Sequence, residues 1–212
     1  MTVARNDGEA SNGVGERGTI RVRPHDASIE VPMNGEILEN PVTGEALRVL
    51  ESTPSVFKVQ YSLRPHGEIA GEHFHPGKEQ QITVISGEMH LRINGAHRVV
   101  RAGESARVPA GAHHFQWNPC DSEVVAIEEI RPAGRLHEFF SVLFGLARDG
   151  KTDSQGRPSL FLAAAVFSEF KGSIREASFG TRLLLDVLSP IASLLGYRRQ
   201  LDQYLTCGLT RR

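Results

Sequence analysis

From residue 19 to about 131 the apolar positions recur with a period of two. Phe57, Val59, Tyr61 and Leu63 alternate with polar side chains, so on an extended chain they share one face. Residues 81–85, 90–93 and 124–127 are shorter runs of the same kind, separated by turn formers at Pro65-His-Gly67, Ser86-Gly87, Asn94-Gly95, Ala102-Gly103 and Pro109-Ala-Gly111. Asn94-Gly95 stands between two such runs and predicts a tight hairpin. Many short strands with no helix between them predict an antiparallel barrel or sandwich.

After Pro132 the period changes. Leu136, Phe139, Phe140, Leu143 and Leu146 recur at three and four, with Gly150 as a stop. A second helix is expected over 159–170. A third is expected over 180–201, broken or kinked at Pro190. The pattern divides the chain into a polar tail expected to be disordered (1–18), a β-barrel (19–132) and a helical extension (133–212). Residues 160–167 and 183–195 are unusually apolar for surface helices. They predict a layer packed on the barrel or on a second subunit, a lid over the barrel mouth, or a peripheral membrane contact near Arg198, Arg199 and Arg212.

Composition narrows the classes. The 212 residues are 40% hydrophobic and 23% charged, with a formal net charge of −1. This is an ordinary globular balance without the basic field that nucleic-acid binding needs. No run approaches the ~18 consecutive apolar residues of a transmembrane helix. The N-terminus has no apolar stretch of the secretory kind, so a cytoplasmic protein is expected. Cys120 and Cys207 form no CxxC pair, which argues against a disulfide framework or a cysteine zinc site. Gly13-x-Gly15-x-x-Gly18 matches a dinucleotide fingerprint in letters only, because no apolar strand precedes it and a strand pattern follows.

The chemistry gathers in two spaced patterns. Gly67 is followed by His73-Phe74-His75, then Gln80, then Gly87. Gly103 is followed by Pro109, Gly111, His114 and Asn118. Together they resemble the paired motifs of the cupin superfamily. The second pattern matches at every specified position, and the first departs at one. The resemblance covers roughly residues 45–131 and implies an antiparallel double-stranded β-helix (jelly-roll) barrel, here with a C-terminal helical extension. His73 and His75 lie two apart on an extended strand and point to one face, and His114 opens another strand. Three imidazoles converging in a small barrel are a ready site for a divalent transition metal such as Fe, Mn, Ni, Cu or Zn.

The departure is at Gln80, where metal-binding relatives usually carry Glu. Glu79 is the alternative ligand, because the family spacing tolerates either position, and strand parity puts the two on opposite faces. A Gln ligand binds through a neutral amide oxygen, leaving the metal's charge uncompensated and favouring anionic ligands and Lewis-acid chemistry. Tyr61, Gln116 and Glu128 are the substrate-binding candidates, drawn from a wider group with Gln60, Arg64, Trp117 and Glu129. Parity puts His114 and Gln116 on one face, with Phe115 and Trp117 on the other. Of the consecutive Glu128 and Glu129, one must face inward. His113 is expected to face away from the site, and Asn118 to hold a turn.

The resemblance implies a metal-dependent reaction on a small organic substrate, either dioxygenase-like or Lewis-acid (isomerase, cyclase or lyase). A non-catalytic, metal-dependent binding or sensor protein is the alternative. It also implies a homodimer formed through barrel edges.

Overall fold

The computed structural model describes residues 19–22, 29–32, 35–69 and 71–205. The dinucleotide-like glycines of the tail and Cys207 lie outside them.

A two-stranded ladder, β1 (Thr19–Val22) with β2 (Ile29–Pro32), precedes the barrel. The barrel strands follow as β3 (Ile37–Glu39), β4 (Ala46–Ser52), β5 (Phe57–Leu63), β6 (His73–Phe74), β7 (Glu79–Ser86), β8 (Glu88–Ile93), β9 (Ala96–Arg101), β10 (Ser105–Val108), β11 (His114–Trp117) and β12 (Val124–Arg131). One sheet has the order β10-β7-β12-β5-β4-β3, and every pair in it is antiparallel. The second sheet runs β6-β11-β8-β9 and gains one further strand from the extension. The period-two pattern becomes the barrel interior: Phe57, Val59, Tyr61 and Leu63 are all buried, as are Ile82, Val84, Met89 and Leu91 from neighbouring strands. The Asn94-Gly95 hairpin forms as expected, with φ of 48° and 83°, the left-handed values a tight hairpin turn requires.

The extension contains α1 (Leu136–Arg148), α2 (Leu160–Glu169), β13 (Arg175–Glu176), α3 (Phe179–Leu194), a 3-10 turn (Arg198–Gln200) and α4 (Asp202–Leu205). α1 buries Leu136, Phe139, Val142 and Leu146, and Phe140 stacks on Phe57 of the barrel at 5.9 Å. Helices and barrel thus share one apolar core. Two expectations change. Of the break or kink expected at Pro190, the break does not occur. The third helix runs through that residue and ends before Gly196 (φ +81°), where the chain turns by 83° into the segment Arg198–Leu205. The extension is also not purely helical, since β13 pairs with β6 and widens the second sheet. Its two residues are too few for a periodicity signal. Among the described residues no single helix is long and apolar enough to cross a membrane.

α1 and α4 meet where Gly145 faces the Tyr204 ring, and any Cβ there would run into the ring. Gly145→Ala should therefore destabilise the fold by about 1–3 kcal/mol through overpacking. Urea unfolding should show a lower midpoint at unchanged slope.

Candidate metal centre

β6 and β11 are hydrogen-bonded neighbours with His73 opposite His114, and His75 follows directly after β6. The three rings converge, with centroids 4.3, 5.1 and 5.3 Å apart. One nitrogen from each lies within 4.8 Å of the others, and all three residues are buried. The orientation of each ring is set by its other nitrogen. Nδ1 of His73 is 3.0 Å from the Gly71 carbonyl, Nδ1 of His114 is 3.0 Å from the Ala112 carbonyl, and Nδ1 of His75 is 2.8 Å from the Ser173 carbonyl. A carbonyl only accepts, so Nδ1 carries the proton and the Nε2 lone pair is left for an electrophile. The Nε2 atoms of His75 and His114 are buried and have no hydrogen-bond partner, which is costly unless something else fills the role. A divalent metal would give these nitrogens a partner, and carbonyl-anchored imidazoles are its usual ligands. Burial, reinforced by the neighbouring histidines, holds His75 well below the ordinary imidazole range and His114 down to about 3. Both rings are therefore neutral, the state that binds metal.

The two candidate ligand positions on β7 fall on opposite faces of the strand. Gln80 is buried on β7 with both amide atoms unpartnered, whereas Glu79 points outward and forms a two-pronged ion pair with Arg107 at 2.5 Å. Glu128 faces inward and Glu129 outward, the latter held by Arg131 and Lys58. Burial raises the Glu128 acid to about 7, while the amides of Gln116 and Gln80 pull it down. Tyr61 donates to Gln116 Oε1 at 2.5 Å, and its phenol is pushed up by burial and by Glu128. Tyr61, Gln116, Glu128 and Gln80 thus form a polar string across an otherwise apolar lumen.

The other described histidines lie away from the triad. His113 stacks on Phe74 outside the barrel, His66 meets Asp121, His90 and His97 pair with each other, and His137 lies between Ser52 and Glu36. Trp117 stacks on His97 on the outer face of its sheet, away from Gln116. Asn118 bonds the carbonyls of Leu63, Arg64 and Ser122 and so holds the turn.

Four residues of the neighbourhood escaped the sequence reading. Ser173, 98 positions after His75, fixes that ring through its carbonyl and donates no sequence signal, because any residue has a carbonyl. Glu176 lies opposite His73 in the β6–β13 ladder, so its side chain shares the face of His73, and partial burial raises its acid. Lys78 is buried between Gly134 and Ser173, and desolvation lowers it. Glu45, in the turn before β4, interacts electrostatically with both Tyr61 and Glu128, and its own burial lifts it to about 7.

A family model described as Cupin domain matches residues 60–128. No curated protein matches the sequence. Among solved structures, the chain is similar to an RmlC-like cupin from Shewanella frigidimarina, at 26% identity and a TM-score of 0.42, over 47% of this chain and 85% of that one. It is similar to a conserved protein with a double-stranded β-helix domain from Klebsiella pneumoniae, at 27% identity and 0.38, over 48% and 81%. A predicted oxalate decarboxylase from Thermotoga maritima aligns at 20% identity and 0.41, over 46% and 91%.

Glu45 gives a test of the lumen's electrostatics. An acid raised from 4.5 to about 7 binds its proton more tightly in the fold than unfolded. Its stabilising contribution is complete below pH 4.5 and is lost as pH rises to about 7. Glu45→Gln should match the wild type in melting temperature near pH 4 and exceed it increasingly up to pH 8. Equal melting curves across that range would contradict the assignment.

Proposed function

Starting from residues 60–128 as a cupin domain, we propose that this protein holds a divalent transition metal on His73, His75 and His114, with Gln80 as a neutral fourth ligand. On that centre it catalyses proton-transfer chemistry on a small, oxygen-rich, anionic substrate, of the isomerase, cyclase or lyase kind. The observation that carries this reading is the set of three buried imidazoles, each anchored through Nδ1 by a backbone carbonyl, with one nitrogen of each within 4.8 Å of the others. When bound, such a metal supplies Lewis-acid polarisation of a substrate oxygen.

The rest of the work falls to the chain. Gln80 contributes no charge, so the site keeps a net positive field for an anionic ligand. Glu128, one β-ladder step diagonal from Gln80, presents a buried carboxyl able to take and return a proton. Gln116 orients that carboxyl while Tyr61 fixes the Gln116 amide. The apolar walls, Val59, Ile82 and Met89 among them, keep bulk water from the reacting atoms. A dioxygenase-like reaction draws on the same triad and rests on family resemblance alone. The carboxylate of a two-His, one-carboxylate iron site has no counterpart at Gln80, and Glu79 points away.

Elemental analysis of the purified protein should find close to one transition metal per chain. His75→Ala should remove it, Gln80→Ala should weaken its retention against a chelator, and Gln80→Glu should strengthen it. In heavy water, the metal-loaded protein should exchange deuterium into carbon acids next to a carbonyl in hydroxy acids or sugar acids. Glu128→Gln should cut that exchange by 100-fold or more at unchanged metal content. Oxygen consumption without exchange would establish the dioxygenase reading, and ligand recovered unlabelled with only fold stabilisation would mark a binding protein.

A further inference from the structure

α3 is apolar around most of its circumference. Leu185 and Ala192 are buried, with Leu188 packed beside them, on the side that meets α2. On the open side Phe179, Leu183, Val187, Ile191 and Leu195 follow one another at spacings of four, each between 45% and 72% exposed. Leu184 and Leu194 widen the stripe, Leu194 being 88% exposed. No charged side chain falls within it. Summed, these exposures equal about four fully exposed large apolar side chains, on the order of 700 Å². That exceeds the apolar patches of about 300–600 Å² usual on monomers and approaches the about 800 Å² that each partner contributes to a stable interface.

The surroundings point to a protein occupant. A helix lying on an anionic lipid surface carries Lys and Arg along its polar face. The polar face of α3 holds Arg182, Asp186, Ser189 and Ser193. Its one cation, Arg182, is engaged within the fold, donating to the carbonyls of Glu176 and Ala177, and of the neighbouring cations Arg175 pairs with Asp186 and Arg198 with Glu169. The polar residues 1–18 offer no apolar stripe that would cover it.

The spacing of the stripe is also self-complementary. Side chains four apart form a continuous ridge, and two such ridges interlock when helices cross at about −50°. This ridge extends two residues to either side of Val187, so a two-fold axis at Val187 superposes it on its own complement. We propose that the α3 ridge is the contact surface of a homodimer, with a second copy of this chain seating its own ridge there and Val187 meeting Val187 on the axis. The assembly therefore leaves the barrel edges free, unlike the edge pairing the family resemblance implies. The inference stands independently of the metal chemistry.

Analytical ultracentrifugation should show a dimer for the wild type. Leu183→Glu with Ile191→Glu should shift it to monomer, with circular dichroism and metal content unchanged. In a Cys120→Ser, Cys207→Ser background, Val187→Cys should cross-link into a covalent dimer under mild oxidation. An exposed marker such as Arg98→Cys should not. A monomeric wild type would overturn the proposal. So would a dimer that survives the double substitution and leaves Val187→Cys uncross-linked, or a monomer that sediments with phosphatidylcholine–phosphatidylglycerol vesicles.

Discussion

The candidate site depends on one repeated interaction, an imidazole Nδ1–H held by a backbone carbonyl. It occurs three times, from Gly71, Ala112 and Ser173. Each bond removes the freedom of a ring to flip or to change tautomer, so three lone pairs are committed to one point before any ligand arrives. Two of the carbonyls lie two residues before their histidines and come with the local turn. The third comes from the far side of the chain. It makes the extension part of the site, because His75 is oriented only when the segment after α2 is docked.

β13 explains how that docking is achieved. It adds a strand to β6, the strand that carries His73, and the ladder is continued by the Ala177 amide donating to the Glu72 carbonyl. Edge strands expose unpaired backbone groups, and covering β6 both satisfies them and closes that flank of the barrel. The shared core of α1, α2 and the barrel holds the arrangement in place, with Phe139 against Phe170 and Phe140 against Phe57. A layer that a barrel of this size does not need for closure thus acquires a reason in the Ser173 carbonyl that orients His75.

The lumen sets opposing demands side by side. Apolar burial keeps the imidazoles neutral and available, and the same burial makes ionised Glu128 and Glu45 costly. Gln80 and Gln116 mediate between these requirements, since amides can face either a cation or a carboxyl without adding charge. A third carboxylate in place of Gln80 would have deepened the crowding around Glu128. The neutral residue at the departing motif position is consistent with an interior already holding as many acids as it can desolvate.

Much of this was legible in the sequence, for local reasons. The period of two gives the barrel faces, Asn94-Gly95 the hairpin, and parity the inward set of His73, His75, His114, Gln116 and Tyr61, because side-chain direction on a strand follows from counting alone. Counting back from Gly87 favoured Gln80 over Glu79, but it gave no way to tell which of Glu128 and Glu129 faces inward. In the structure Gln80 and Glu128 are buried, while Glu79 and Glu129 pair outward with Arg107 and Arg131. Pro190 does not break α3, because helix propensity is weighed residue by residue, whereas α3 is held by packing along its buried side. The sequence by itself determined which residue types lie on which face. Tertiary structure decided that Ser173 reaches His75, that Glu176 stands opposite His73, and that Glu45 joins the acids of the lumen. Those contacts join positions far apart in the chain, through backbone atoms and burial that no local pattern encodes.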